Sequence, residues 1–194
     1  MERPLEALLA IRPHTDIDLI GRAYDVAARC HQGQKRRSGD PYITHPVAVA
    51  KILAGLGTAD DQMLCAAILH DTVEDTPYTL PELRRDFGAC IAEMVAGFVM
   101  LDRLKSQESK VTQVLATIGS VDARVVTLKV VERLHNMQTL QFLAQAKQLG
   151  KARNTLDIFL PVAQQLGLPT VRSELQSLAC ATLIRNRPAG PPRP

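Results

Sequence analysis

The chain has 194 residues, 46 % of them hydrophobic and 22 % charged, with a net charge of +3. That length suits one domain with a real core, and acids and bases are interspersed, so the composition gives no electrostatic case for a nucleic-acid partner. No apolar run reaches the length of a membrane span, and "MERPLEALLA" lacks the basic start and long apolar core of an export signal, so the expectation is a cytoplasmic protein.

In chain order, residues 1–14 read as an N-terminal extension, and 15–185 read as the domain. Thr15 and Asp16 supply start signals for a helix through "IDLIGRAYDVAARCHQ". A basic loop, "GQKRRSGDPYIT", leads to a second helix opened by His45 and Pro46 and ended by Gly55 and Gly57. A third helix is expected from Asp60 to about Asp75, then a short one in "TLPELRRDFG", stopped by Gly88. "CIAEMVAGFVMLDRL" follows, with a polar break at "KSQESK". The Val-rich start of "SVDARVVTLKVVERLHNMQTL" suits strand or helix, and its length with the start signal at Ser120–Asp122 favours helix. Helices at about 150–166 and 169–185 close the domain, and 186–194, rich in Pro and Arg, read as a disordered tail. The fold class expected is an all-α bundle. Four cysteines, far apart and without a CxxC pair, read as buried thiols rather than as a disulfide framework or a zinc site.

The segment "LHDTVEDT" places His70, Asp71, Glu74 and Asp75 within six positions after an apolar run. On one helix, at 3.6 residues per turn, these four share an arc of about 140°. Carboxylates on such an arc are costly to bury unless a cation compensates them; a solvated helix end is the alternative. His45, at the start of a helix, and Glu132, four residues before Asn136 in "VERLHNM", would complete a set of two imidazoles and two carboxylates. Mixed nitrogen and oxygen donors suit manganese, iron or zinc better than calcium. His135 is a fifth candidate, for which a structural role is the simpler reading.

With these motifs in order the sequence resembles the HD-type hydrolase domain of the RelA/SpoT homologue superfamily, whose members remove the 3′-pyrophosphate from alarmone nucleotides such as ppGpp. The resemblance runs from about Ile17 to about Leu183 through "HQGQKRRSGDPYITHP", "AAILHDTVEDTPYTLPELRRDFG", "RLHNMQTL" and "TLDIFLPVAQQLGLPTVRSELQSLA". It implies that His45, His70, Asp71 and Glu132 are ligands to one ion, usually Mn2+, and that Glu74 and Asp75 orient or deprotonate the attacking water. It also implies that Arg36, Arg37 and Ser38 line a nucleotide pocket with the arginine plane on the base, that Asn136 and Thr139 contact nucleoside, and that Arg153 lies near the phosphates. Long members carry a synthetase domain next, for which this chain leaves no room, so the expectation is a small hydrolase-only protein.

Three departures qualify the resemblance. The family's aspartate is Glu132 here, longer by one methylene, about 1.5 Å. A threonine-lysine pair corresponds to Val99-Met100, and an arginine-lysine pair to Gln113-Val114, which would weaken a charge clamp on phosphates. Two alternatives to an alarmone hydrolase therefore stand: a catalytically impaired nucleotide-binding regulatory module, and a phosphohydrolase for another nucleotide such as (p)ppApp. The apolar content of the last two helices leaves a homodimer open.

Overall fold

A computed structural model describes residues 6, 8, 10–12, 14–106 and 120–186. The expected tail and the Gln113-Val114 pair fall outside the described residues, apart from Asn186. Among the described residues the structure is helical, with one isolated bridge, Lys35 to Pro41, in place of any strand. No helix among them is long and apolar enough to cross a membrane.

Helix α1 (Ile17–Cys30) is capped by Asp16, whose carboxylate accepts the Leu19 N–H at 3.0 Å. Its buried stripe, Ile20, Ala23, Tyr24 and Ala27, repeats at helical spacing and faces the core. The Asp16 N–H donates to Asp61 at 2.9 Å, tying the start of α1 to that of α3. Helix α2 (Thr44–Gly55) follows the basic loop, and α3 (Asp61–Leu69) is capped by Asp60. Every residue from Met63 to Leu69 is buried, so α3 is apolar all round and runs through the centre, packed by α1, α2 and α5.

The expected third helix is interrupted. It stops at Leu69; His70 and Asp71 form a right-handed turn, and α4 (Thr72–Asp75) is one further turn. The Thr72 hydroxyl donates to the Leu69 carbonyl at 2.7 Å, a local side-chain bond of the kind that competes with the helical ladder. Helix α5 (Leu80–Ser106) starts with a reciprocal cap in which the Thr79 N–H donates to Glu82 at 2.8 Å. It bends at Gly88, whose φ of 84° is open to glycine at little cost. Where α5 meets Val125, a Cβ at Gly97 would stand 3.3 Å from the valine side chain, which would have to give by a few tenths of an ångström.

Helix α6 (Ala123–Gln138), capped by Asp122, settles the strand-or-helix ambiguity of the Val-rich segment. It is buried continuously from Leu128 to Leu134 and packs on α2, α5 and α9. A 3-10 turn (Leu140–Phe142) leads to α7 (Gln145–Asn154), a π-helical turn (Thr155–Phe159), α8 (Leu160–Gln165) and α9 (Pro169–Arg185). The helix expected to begin near residue 150 thus begins five residues earlier, after Ala144, which makes no side-chain cap. The cysteines are free, but only Cys65 is fully buried and Cys180 is exposed, which corrects the expectation of buried thiols throughout.

Candidate metal and nucleotide site

Two elements bring His45, His70 and Asp71 together. His45 sits in the first turn of α2, while His70 and Asp71 form the turn that ends α3. One ligand atom from each lies within 4.8 Å of the others. The His70 Nδ1 is 2.7 Å from the Ala67 carbonyl, which can only accept, so that nitrogen carries the proton. In the neutral ring Nε2 is then a lone pair, and it faces the Asp71 Oδ1 at 3.1 Å. Two acceptors at that distance call for a cation between them. The His45 Nε2 stands 3.7 Å from the Asp71 Oδ2. Burial first, then the neighbouring His70 and Arg36, lowers the His45 pKa well below the usual imidazole value. Its Nδ1 is 2.7 Å from the Nδ1 of His135, whose pKa burial and Arg36 push down to about 4. Both rings are therefore neutral near pH 7, and one donates to the other. The imidazoles of His45 and His70 with the Asp71 carboxylate form a donor set suited to a divalent transition metal. His135, read from sequence as structural, is the ring that orients His45.

Glu132 lines the same cavity but stands outside the three-residue donor set. Its Oε1 accepts from the Asn136 amide, and its Oε2 is 3.2 Å from the Lys129 ammonium. Lys129 also pairs with Asp102 and lies 3.7 Å above the Phe98 ring centre. Burial alone would lower its pKa, but Glu132 and Asp102 outweigh that and hold it above the usual lysine value.

Glu74 and Asp75 are exposed on α4 and do not line the cavity. Burial, Asp102 and Asp75 raise the Glu74 pKa, which favours proton uptake. Asp75 is joined to the donor set by Tyr42, whose hydroxyl lies 2.9 Å from the Oδ2 of both Asp71 and Asp75. Burial and these two carboxylates raise the phenol's pKa well above its usual value, so it stays a donor.

The cavity measures about 650 Å³. Lys35, Arg36, Arg37 and Ser38 form one wall; His135 and Asn136 on α6, with Thr139, Phe142 and Leu143 after it, form the other. The Arg36 guanidinium donates to the Asn136 side-chain oxygen at 3.2 Å and lies 5.5 Å from the Tyr42 ring centre. The Ser38 hydroxyl donates to Asp40 at 2.8 Å. Arg153 is exposed and does not line the cavity; half-buried Lys151, two residues earlier, does. Val99 is buried and Met100 exposed, and neither lines the cavity, so lost charge there does not thin the cavity's own cations. Phe142, 46 % exposed, presents an aromatic face at this wall that the sequence reading passed over.

A family model described as HD domain matches residues 23–169. The chain is 49 % identical over 167 residues to a GTP pyrophosphokinase of Streptomyces coelicolor, covering 84 % of this chain and 20 % of that protein. It is 42 % identical over 182 residues to the bifunctional (p)ppGpp synthase/hydrolase SpoT of Escherichia coli, covering 90 % of this chain and 26 % of that protein. The bifunctional (p)ppGpp synthase/hydrolase RelA of Mycobacterium tuberculosis is 46 % identical over 186 residues, covering 92 % of this chain and 25 % of that protein. The chain thus spans about a fifth to a quarter of the length of these relatives. Among solved structures, a metazoan orthologue of SpoT that hydrolyses ppGpp shares the fold, with a TM-score of 0.63 at 20 % identity over 87 % of this chain and 96 % of that one.

Proposed function

The chain belongs to the HD-domain family, among the RelA/SpoT homologues, and from that membership we propose that it is a Mn2+-dependent hydrolase of the 3′-pyrophosphate of (p)ppGpp-type alarmones. The observation that carries this reading is the His45–His70–Asp71 donor set at the edge of a cavity walled by Lys35, Arg36, Arg37 and Lys151. A polyanion with a purine at one end matches a cavity with cations and an arginine plane.

In this reading His45, His70 and Asp71 hold the ion, with Glu132 as the fourth ligand. When bound, the ion supplies Lewis acidity at the phosphoryl oxygen and lowers the pKa of a water. Glu74 and Asp75 take up the proton as the water oxygen bonds to the phosphorus on the 3′ oxygen. The bond from that phosphorus to the 3′ oxygen breaks, the carboxylates return the proton to that oxygen, and it leaves as the 3′ hydroxyl of GDP or GTP, with pyrophosphate as the other product. Arg36 stacks on the base, while Asn136 and Thr139 contact the nucleoside. Arg37 and Ser38 border it, and Lys151 takes the place at the phosphates expected of Arg153.

The test is incubation of the purified protein with ppGpp and Mn2+, with products resolved by anion-exchange chromatography, beside an EDTA control and a parallel reaction with ppApp. Stacking is indifferent to base identity, so both purines are tried. GDP and pyrophosphate should appear and should vanish with EDTA. No release from either nucleotide, with the ion confirmed bound, overturns the reading.

One observation favours a second reading, a nucleotide-binding module with impaired turnover: both Glu132 oxygens are engaged by protein groups, Asn136 and Lys129. Glu132→Asp separates the two. We expect activity to fall by about tenfold or more, because the shorter side chain gives up both partners and placement errors near 1 Å are that costly. A large gain of activity with aspartate would mark the wild-type site as decayed.

A further inference from the structure

We propose that Tyr42 is a positioning residue that fixes Asp71 and Asp75 relative to one another, coupling the grip on the ion to the activation of water. The inference rests on the hydrolase reading for its second half and on the donor set alone for its first. The Tyr42 hydroxyl meets the Oδ2 of each carboxylate at 2.9 Å. A phenol has one proton to donate, so the two carboxylate oxygens share it, and each is held within reach of the same hydroxyl. Asp71 and Asp75 are four residues apart across a single helical turn and repel each other; the hydroxyl between them offsets that repulsion.

The ring that carries this hydroxyl is held from several directions. It stacks on His31 with centroids 4.5 Å apart and planes 19° apart, and meets the His45 ring edge-on at 6.3 Å. His31 is buried, with its Nδ1 2.9 Å from the Gln34 side-chain oxygen. Gln34 in turn accepts the Tyr42 N–H at its carbonyl, 3.0 Å away, and donates from its side chain to the Asp75 carbonyl at 3.3 Å. Loop, ring and α4 are thereby tied to one another. Arg36 lies over the same ring, so the side chain read as the base platform rests on the residue that orients the two carboxylates.

Tyr42→Phe keeps the ring and removes only the hydroxyl. Partners that orient metal ligands are worth about 10- to 100-fold in affinity or activity. We expect Mn2+ affinity, measured by calorimetry without nucleotide, to weaken about tenfold or more. With ppGpp, kcat should fall on the order of tenfold or more while KM stays within about twofold, since the hydroxyl acts on the carboxylates and not on the substrate. In the background of Asp75→Asn, the further loss in kcat from Tyr42→Phe should shrink, because the pair is already broken. Unchanged Mn2+ affinity and kcat in a folded Tyr42→Phe protein overturn the proposal. A rise in KM with kcat intact does so too, by making Tyr42 a substrate contact. If the wild type binds Mn2+ but leaves ppGpp uncut, the hydrolase reading fails while the calorimetric result still decides the role at Asp71.

Discussion

Asp71→Asn should lower kcat/KM for ppGpp by about a thousandfold and strip the protein of Mn2+ while leaving its helices intact. The magnitude follows from the several kcal/mol that a bound ion contributes to charge stabilisation in phosphoryl chemistry, at about 1.4 kcal/mol per decade of rate. Asp71 is the only carboxylate in the three-residue donor set, and each of its oxygens faces an imidazole, Oδ1 toward His70 at 3.1 Å and Oδ2 toward His45 at 3.7 Å. Asparagine has the same shape and can still accept from Tyr42, so the turn after α3 should persist. What is lost is the negative charge between the two imidazoles. The measurements are metal content after dialysis, circular dichroism and steady-state kinetics. Full activity with bound Mn2+ in the variant would remove Asp71 from the ligand set.

The second large effect concerns the wall behind the site. Phe98 on α5 is 1 % exposed, and its ring lies edge-on to His70 with centroids 4.7 Å apart and beneath the Lys129 ammonium at 3.7 Å. Phe98→Ala should destabilise the fold by about 3–5 kcal/mol through lost burial and the cavity left behind. For a chain of this size that corresponds to a fall in Tm on the order of 10 °C. The same cavity frees His70 to tilt and Lys129 to shift from Glu132, so Mn2+ affinity should drop along with stability. Thermal melts in EDTA give the first number, and calorimetry well below Tm gives the second. A lower Tm with unchanged affinity would mean that the bond from His70 to the Ala67 carbonyl suffices to aim the ring.

The chain's own patterns exposed much of this architecture. His45 beside Pro46, the His70-Asp71 pair and the Glu132–Asn136 spacing are local signals, and each falls on a wall of one cavity or in one donor set. The break between α3 and α4 was hidden because apolar periodicity runs up to His70 with no Gly or Pro to end it. Only the bond from Thr72 back to Leu69 marks it, and a threonine carries no such message in sequence. That Lys151 lines the cavity and Arg153 does not is a matter of rotation: two residues along a helix are about 200° apart, so the two point to different sides. Fixing which one required the start of α7, and the residue before it makes no side-chain cap. Tyr42 lies in a loop, where side-chain direction follows no period. Its partners at positions 31, 71 and 75 come together only in the folded molecule.

The contacts that close the cavity join distant parts of the chain. The hydrogen bond from Arg36 to Asn136 spans 100 residues, and the contact of His45 with His135 spans 90. Long-range contacts of this kind form only after the entropy of closing a large loop has been met, whereas a helix needs only near neighbours. The order of assembly follows: α1 to α3 can gather first, and the two walls meet when α6 docks. The same order read backwards makes the cavity a place where local opening begins. A newly made chain would carry His45, His70 and Asp71 well before it had both walls of the cavity, which α6 and the segments after it complete.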